Sequence, residues 1–232
     1  MHIAQFRYAT DNLGYLLYGT RSALAIDGGA PAAIHAFVKK QGLRLKWVTN
    51  THGHADHTSG NQALIETSDA AYIEPMELTR RQHLEIDGET VRILYTPGHT
   101  ADSITLAADG LLITGDTLFN GTVGNCFSGD IEGFYHSIKT LMAFPENTFI
   151  YAGHDYVGYS MRFARIIESD NSDIHGYLKR FDPDLVRSTL ADEMRVNPYL
   201  RFNHPQMIAI LEDRGFPVDT EYKRWTSMME LG

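Results

Sequence analysis

Seven consecutive residues, Thr51-His52-Gly53-His54-Ala55-Asp56-His57, constrain this chain more than any other stretch. They place three imidazoles and one carboxylate within a single short segment, and neutral imidazole and carboxylate are the usual ligands of zinc and related divalent ions. The spacing excludes the His-Glu-x-x-His arrangement, in which two ligands share one helix face. His52 and His54, two apart, require an extended or looped backbone, and the adjacent Asp56 and His57 point apart in a strand. One loop feeding two metal subsites satisfies both conditions. The rest of the chain must then hold this loop rigidly and complete its coordination.

The flanking sequence supplies such a frame. Residues 2–8 and 13–18 read as strands around Thr10-Asp11-Asn12, and residues 22–26 as a third strand ending at Asp27-Gly28-Gly29. Pro31 marks a helix start, with Ile34, Phe37 and Val38 at helical spacing. Residues 45–49 form a buried-type strand running into the His52 segment, and 58–66 a helix after it. Tyr72-Ile73 is a weak strand and 91–95 a stronger one, stopped by Pro97-Gly98. Residues 103–107 and 111–114 form a hairpin around Asp109-Gly110. Residues 130–143 are helical, and 148–152 are a strand ending at Gly153-His154.

Four ligand positions thus share one topology. His52, His99, Asp116 and His154 each follow a strand, and loops leaving one edge of a rigid sheet converge there. Taken singly, each histidine reads as an ordinary structural residue and Asp116 as a turn or cap; the joint pattern gives them weight. The other histidines, His2, His35, His83, His136, His175 and His204, lie outside any motif.

Beyond Tyr156 the character changes to helix over 159–168, 174–181, 184–194 and 205–213, punctuated by Pro183, Pro198, Pro205 and Pro217, with no further strand. This divides the chain into a catalytic domain over 1–157 and a helical domain over 158–232. Hydrophobic residues, at 43%, suffice for a real core. A net charge of −9 argues against broad nucleic-acid binding. Lys179-Arg180, Arg201 and Lys223-Arg224 are the basic spots able to capture a small anion. The first residues lack a signal-peptide pattern, no apolar run reaches membrane length, and Cys126 is the lone cysteine. A cytoplasmic protein without membrane association is expected.

With these residues in place the chain resembles the metallo-β-lactamase superfamily, and glyoxalase II (hydroxyacylglutathione hydrolase) in particular. Asp11-Asn12 with Tyr15 is similar to the family's opening segment. Thr51 to His57 with Gly60-Asn61 matches its metal signature. Thr96 to Thr100, Gly115 to Phe119 and Gly153 to Tyr156 resemble the later ligand motifs. Ser188-Thr189-Leu190 with Glu193, then Asn197-Pro198-Tyr199-Leu200-Arg201, resembles the helical domain that separates glyoxalase II from its superfamily.

The resemblance implies an α/β fold: an αββα sandwich with a C-terminal helical domain and a binuclear site. His52, His54 and His99 would hold one metal, Asp56, His57 and His154 the second, and Asp116 would bridge, with zinc the default and iron or manganese also suited. It implies hydrolysis of S-(2-hydroxyacyl)glutathione by a hydroxide held between the metals, with catalytic roles on Asp56 and Asp116. A thiolate whose parent thiol has a pKa near ~8.5 leaves without a strong general acid. No nucleophilic side chain is needed, and Cys126 lacks a paired base.

Substrate contacts fall on Tyr156, on Asn125 and Phe127 where the family often has lysine and tyrosine, and on Lys223 or Arg224. Asparagine supplies no charge and phenylalanine no hydroxyl, so another thiol carrier or thioester is also expected to fit. The rival chemistries are a mononuclear-iron persulfide dioxygenase and a lactonase or β-lactamase. His54 speaks against a flavodiiron protein, the absence of basic surface against a nuclease, and the complete ligand set against an inactive scaffold. A monomer or small homo-oligomer acting on a small thioester is expected.

Overall fold

The computed structural model describes residues 1–232. Two β-sheets face each other, with helices on both outer faces. The first sheet runs β1-β2-β3-β4-β5 and is built from β1 (His2–Tyr8), β2 (Asn12–Tyr18), β3 (Ser22–Ile26), β4 (Arg44–Thr49) and β5 (Ala71–Tyr72). The second contains β6 (His83–Ile86), β7 (Glu89–Tyr95), β8 (Ile104–Ala108), β9 (Leu111–Gly115), β10 (Phe149–Ala152) and β11 (Ser188–Thr189), in the order β11-β10-β9-β8-β7-β6. The helices are α1 (Pro31–Gln41), α2 (Ala55–Thr58), α3 (Asn61–Glu66), α4 (Pro75–Arg81), α5 (Ile131–Met142), α6 (Val157–Ile167), α7 (Asp173–Arg180), α8 (Leu190–Val196), α9 (Pro205–Asp213) and α10 (Glu221–Leu231), with a 3₁₀ turn at Pro198–Leu200.

Side-chain alternation along each strand generates these layers, because successive Cβ atoms point to opposite faces. In β2, Leu13, Tyr15 and Leu17 enter the core between the sheets, while Leu16 faces out to Ile34 and Val38 of α1 and Leu64 of α3. In β9, Leu111 and Ile113 face in, and Leu112 faces Phe134, Ile138 and Leu141 of α5. β9 and β10 are buried on both faces and apolar almost throughout, whereas β4 and β7 turn one face to solvent and carry exposed Arg44, Lys46 and Arg92 there. No helix is long and apolar enough to cross a membrane.

The structure departs from the sequence reading in several places. A strand does follow Tyr156: β11 pairs antiparallel with β10 through Phe149↔Thr189 and Ile150↔Ser188. Two residues are too few to leave a period-2 pattern. The helix expected over 184–194 is therefore only Leu190–Val196, started by a capping box between Thr189 and Asp192. The helix expected over 58–66 is two short ones broken at Ser59-Gly60. Here the chain presses on its neighbour so closely that a Cβ on Gly60 would lie 2.1 Å from the Gly28 carbonyl oxygen. The weak strand at Tyr72-Ile73 is Ala71–Tyr72, and α4, β6 and α10 were not expected. The C-terminal helices also share the main cores. Val157, Met161 and Ala164 of α6 join the inter-sheet core, and Met207, Leu211, Trp225 and Met228 of α9 and α10 pack with α5.

Candidate metal centre and substrate cleft

The five histidines and two aspartates singled out in the sequence come together at one edge of the sandwich. His52, His54, Asp56 and His57 lie on the path from β4 into α2, and His99, Asp116 and His154 follow β7, β9 and β10. Two glycines permit this convergence. Gly115 has φ +51°, and a Cβ there would lie 2.3 Å from Thr51 Oγ1. A Cβ on Gly153 would lie 2.1 Å from Asp116 Oδ1.

The donor atoms form three overlapping groups, His52/His54/His99, His52/His57/Asp116 and Asp56/His57/His154, each with its atoms within 4.8 Å of one another. His54 Nδ1 lies 2.9 Å from His52 Nε2 and 3.1 Å from His99 Nε2. His57 Nε2 lies 3.2 Å from His154 Nε2. Asp116 stands between the groups, with Oδ1 3.3 Å from His57 Nε2 and Oδ2 3.5 Å from both His99 and His154 Nε2. Asp56 Oδ2 lies 3.3 Å from His154 Nε2 and accepts from Asn12 Nδ2 at 2.9 Å.

The outer nitrogens fix the tautomers. His52 Nδ1 meets Thr51 Oγ1 at 3.1 Å, His57 Nδ1 meets Asp27 Oδ2 at 3.1 Å, His99 Nδ1 meets the Asn125 carbonyl at 3.0 Å, and His154 Nδ1 meets Asp11 Oδ1 at 2.9 Å. A ring that donates its Nδ1 proton outward turns an Nε2 lone pair inward, as a metal ligand must. Asp27 also accepts from the Thr51 amide and hydroxyl at 2.8 and 2.7 Å, which locks the start of the ligand loop. It follows β3 in a left-handed conformation, φ +50°, that aspartate tolerates better than most residues.

The charges are arranged unevenly. Burial lowers His52 to about 4, helped by the neighbouring His57 charge, and burial also lowers His99. Burial opposes charge on His57 too, but Asp27 and Asp116 outweigh it and raise this histidine to about 11. His154 is raised in the same way, with Asp116 overcoming burial. Burial pushes Asp116 up, yet its contacts with His154 and His57 hold it well below the usual carboxylate range. The carboxylates therefore stabilise positive charge between them.

This donor set fits divalent metal ions. Two nitrogens bound to one tetrahedral ion at ~2.0–2.1 Å are separated by about 3.3 Å, close to the spacings of the inward nitrogens. Pairs of inward lone pairs repel one another unless a cation lies between them. Asp116 Oδ1 is buried with no hydrogen-bond partner, which is costly for a polar atom unless a cation satisfies it.

A cleft of about 630 Å³ opens over these residues. Phe127 caps one side, its ring centroid 5.2 Å from that of His99 and 5.8 Å from that of His54. On the other side Tyr156 stacks on His154 at 5.0 Å with the planes 8° apart, and Phe119 meets Tyr156 edge-on. Burial pushes the Tyr156 and Tyr199 hydroxyls up to about 12, so both are neutral donors.

Of the substrate-contact candidates, Tyr156, Asn125 and Phe127 line this cleft, whereas Lys223 and Arg224 do not. Lys223 is held by Asp219 at 2.8 Å, and Arg224 by Asn203 Oδ1 and the Val218 carbonyl. The basic spot at Arg201 is internal, paired through two nitrogens with the buried Glu168. Arg180 pairs with Asp192. Cys126 is half-buried, 3.5 Å from Ser128 Oγ. Sequence reasoning missed Asp27, which it took as a strand-ending turn. It also missed Tyr159, Tyr199 and Met229, which line the cleft from the C-terminal helices.

The chain matches the model of the metallo-β-lactamase superfamily over residues 11–88 and 77–154, and that of the hydroxyacylglutathione hydrolase C-terminus over residues 155–230. It is 34% identical to the hydroxyacylglutathione hydrolase of Anaeromyxobacter dehalogenans, covering 88% of this chain and 87% of that one. It is 30% identical to that of Chromohalobacter salexigens, covering 88% of each. Among solved structures, ETHE1 from Myxococcus xanthus superposes with a TM-score of 0.65 at 23% identity, covering 98% of this chain and 100% of that one, a likeness of fold. With matched models spanning both its sandwich and its helical region, the chain belongs to the hydroxyacylglutathione hydrolase family of the metallo-β-lactamase superfamily.

Proposed function

We propose that this protein is a binuclear metallo-thioesterase of the glyoxalase II type, hydrolysing S-(2-hydroxyacyl)glutathione, with S-D-lactoylglutathione giving glutathione and D-lactate. The observation that carries this reading is the placement of Asp116 between two histidine groups at the floor of an aromatic cleft, in a chain of this family. His52, His54 and His99 would hold one ion and Asp56, His57 and His154 the other, with the Asp116 carboxylate available to both. Zinc is the first choice, and iron or manganese suits the same imidazole and carboxylate donors. Ions held there supply Lewis acidity toward a carbonyl oxygen and lower the pKa of water toward about 7.

The protein's own groups do the rest. Asp27, Thr51, Asp11 and the Asn125 carbonyl keep the imidazoles aimed inward. Asp56, with its side chain 48% exposed at the cleft, is the carboxylate placed to take a proton during attack. The thiol leaves as its own anion, so no general acid is required of the cleft. The division of labour follows the chain: residues 1–157 carry every ligand, and residues 158–232 add Tyr159, Tyr199 and Met229 to the wall that orients the thioester. The test is loss of the thioester of S-D-lactoylglutathione on incubation with the metal-loaded protein. Catalytic turnover is expected. A protein with both sites loaded and no thioesterase activity would overturn the reading.

A further inference from the structure

The cleft continues past the metal centre. Asn125 and Met229 line both the main cleft and a neighbouring groove, whose other walls include Cys126, Tyr222, Thr226 and Glu230. A thioester seated with its carbonyl at Asp116 therefore has a track for its thiol half, running between Asn125 and Met229 toward α10.

Beyond the histidines and aspartates of the metal centre, every polar side chain this track offers is neutral or negative. The main cleft contributes the Asn125 amide and the tyrosine hydroxyls of Tyr156, Tyr159 and Tyr199, and its carboxylates are metal ligands. The groove ends at the exposed carboxylate of Glu230. The cations of the adjoining elements are committed elsewhere. Lys139 pairs with Glu221 at 2.6 Å, Lys223 with Asp219 at 2.8 Å, and Arg224 with Asn203 and the Val218 carbonyl. Arg162, three residues beyond Tyr159, is exposed and lines neither cavity. Large apolar surface is available instead: Phe127, 66% exposed, and Tyr159, 65% exposed, both line the cleft. Exposed aromatic faces of this kind grip amide planes and alkyl chains, and Asn125 pairs its amide with another amide.

We infer that the site takes the thiol half of its substrate as an uncharged, amide-bearing arm, held by aromatic faces and neutral hydrogen bonds, with no ion pair to a carboxylate. This rests on the thioesterase reading and narrows its substrate class. Glutathione then serves through its peptide bonds, and its two carboxylates contribute nothing to recognition; the one nearest Glu230 opposes it.

The test compares S-D-lactoylglutathione with its dimethyl ester, which keeps the peptide bonds and the α-ammonium but replaces both carboxylates with neutral methyl esters. The ester is expected to have kcat/KM equal to or higher than that of the acid. Added salt, which screens exposed charges beyond ~8–10 Å, should leave the acid's kcat/KM unchanged or raise it. E230Q, an exposed change, should raise kcat/KM for the acid by about threefold and leave the ester, whose one remaining charge is an ammonium, unchanged or lower. N125K should raise the acid by about tenfold over the ester by installing a cation in the track. R162A should leave the acid-to-ester ratio as it is. A tenfold or greater loss on esterification, a steep fall with salt, or selective loss of the acid in R162A would overturn the inference while leaving the thioesterase intact. Hydrolysis of neither compound would remove the thioesterase reading and this inference with it.

Discussion

The metal centre and the cleft above it are built by opposite rules. At the centre, four of the five histidines donate their outer nitrogen to a fixed acceptor, and His52 and His57 are completely buried. Each ligand follows a strand that is itself held on both sides. The cleft wall instead draws on a loop, on α6, on the 3₁₀ turn and on α10, and two of its aromatic rings are about two-thirds exposed. Rigid support fixes where charge is held, and the looser wall sets what is brought to it. Mutations at the centre should therefore abolish chemistry, and mutations in the wall should alter recognition.

Replacing Asp116 by asparagine should produce the largest effect, a loss in kcat of more than about 100-fold, since it removes an anionic oxygen facing both subsites. Near-normal turnover with two metals bound would defeat the bridging role. Asp27→Asn comes next. It touches no substrate, yet it should lower metal affinity or activity by about 10- to 100-fold by loosening His57 and Thr51, which titration with a competing chelator would measure. Tyr156→Phe should leave metal content unchanged and raise KM by about fivefold, the cost of one neutral hydrogen bond. A fall in kcat at constant KM would instead place its hydroxyl in the chemistry.

The smallest effect concerns the seam between the wall and the helices. Glu193 is fully buried and accepts from the Gly121 amide, Asn197, Ser188 and Tyr177, tying the loop after Asp116 to α8. Burial pushes its carboxyl up from 4.5 to about 7 in spite of these donors. Between those values the folded protein binds the proton more tightly than the unfolded chain does. Stability from this residue is thus present below about 4.5 and is lost as pH rises to about 7. Glu193→Gln should gain stability relative to the parent across that window and show no relative change above it. Denaturant melts at several pH values would check this, and parallel curves would contradict it.

Much of the centre was legible in the sequence because its determinants are local. His52 to His57 declare themselves by spacing, and His99, Asp116 and His154 each follow an apolar strand and adjoin a glycine. Asp27 obeyed the same strand-end rule after β3, and that signal was available; a preference for reading Asp-Gly-Gly as a turn concealed it. The wall was legible only in part: Tyr156, Asn125 and Phe127 came from the family resemblance, whereas Tyr159, Tyr199 and Met229 become neighbours of Asn125 only through tertiary packing. Lys223 and Arg224 were expected at the substrate because they are basic and near the family's substrate-binding region, but local partners in α10 and its approach hold them away. The break at Gly60 and the two-residue β11 likewise depend on the neighbours they pack against, Gly28 and β10.

The central claim is that two ions share Asp116 and that thioester hydrolysis depends on both. The most direct measurement is a metal titration of chelator-stripped protein, following bound metal and S-D-lactoylglutathione hydrolysis in the same samples. Two ions bound per chain, with full activity only at the second equivalent, is the expected result. Full activity with one ion per chain, or activity that survives removal of all metal, would contradict the account.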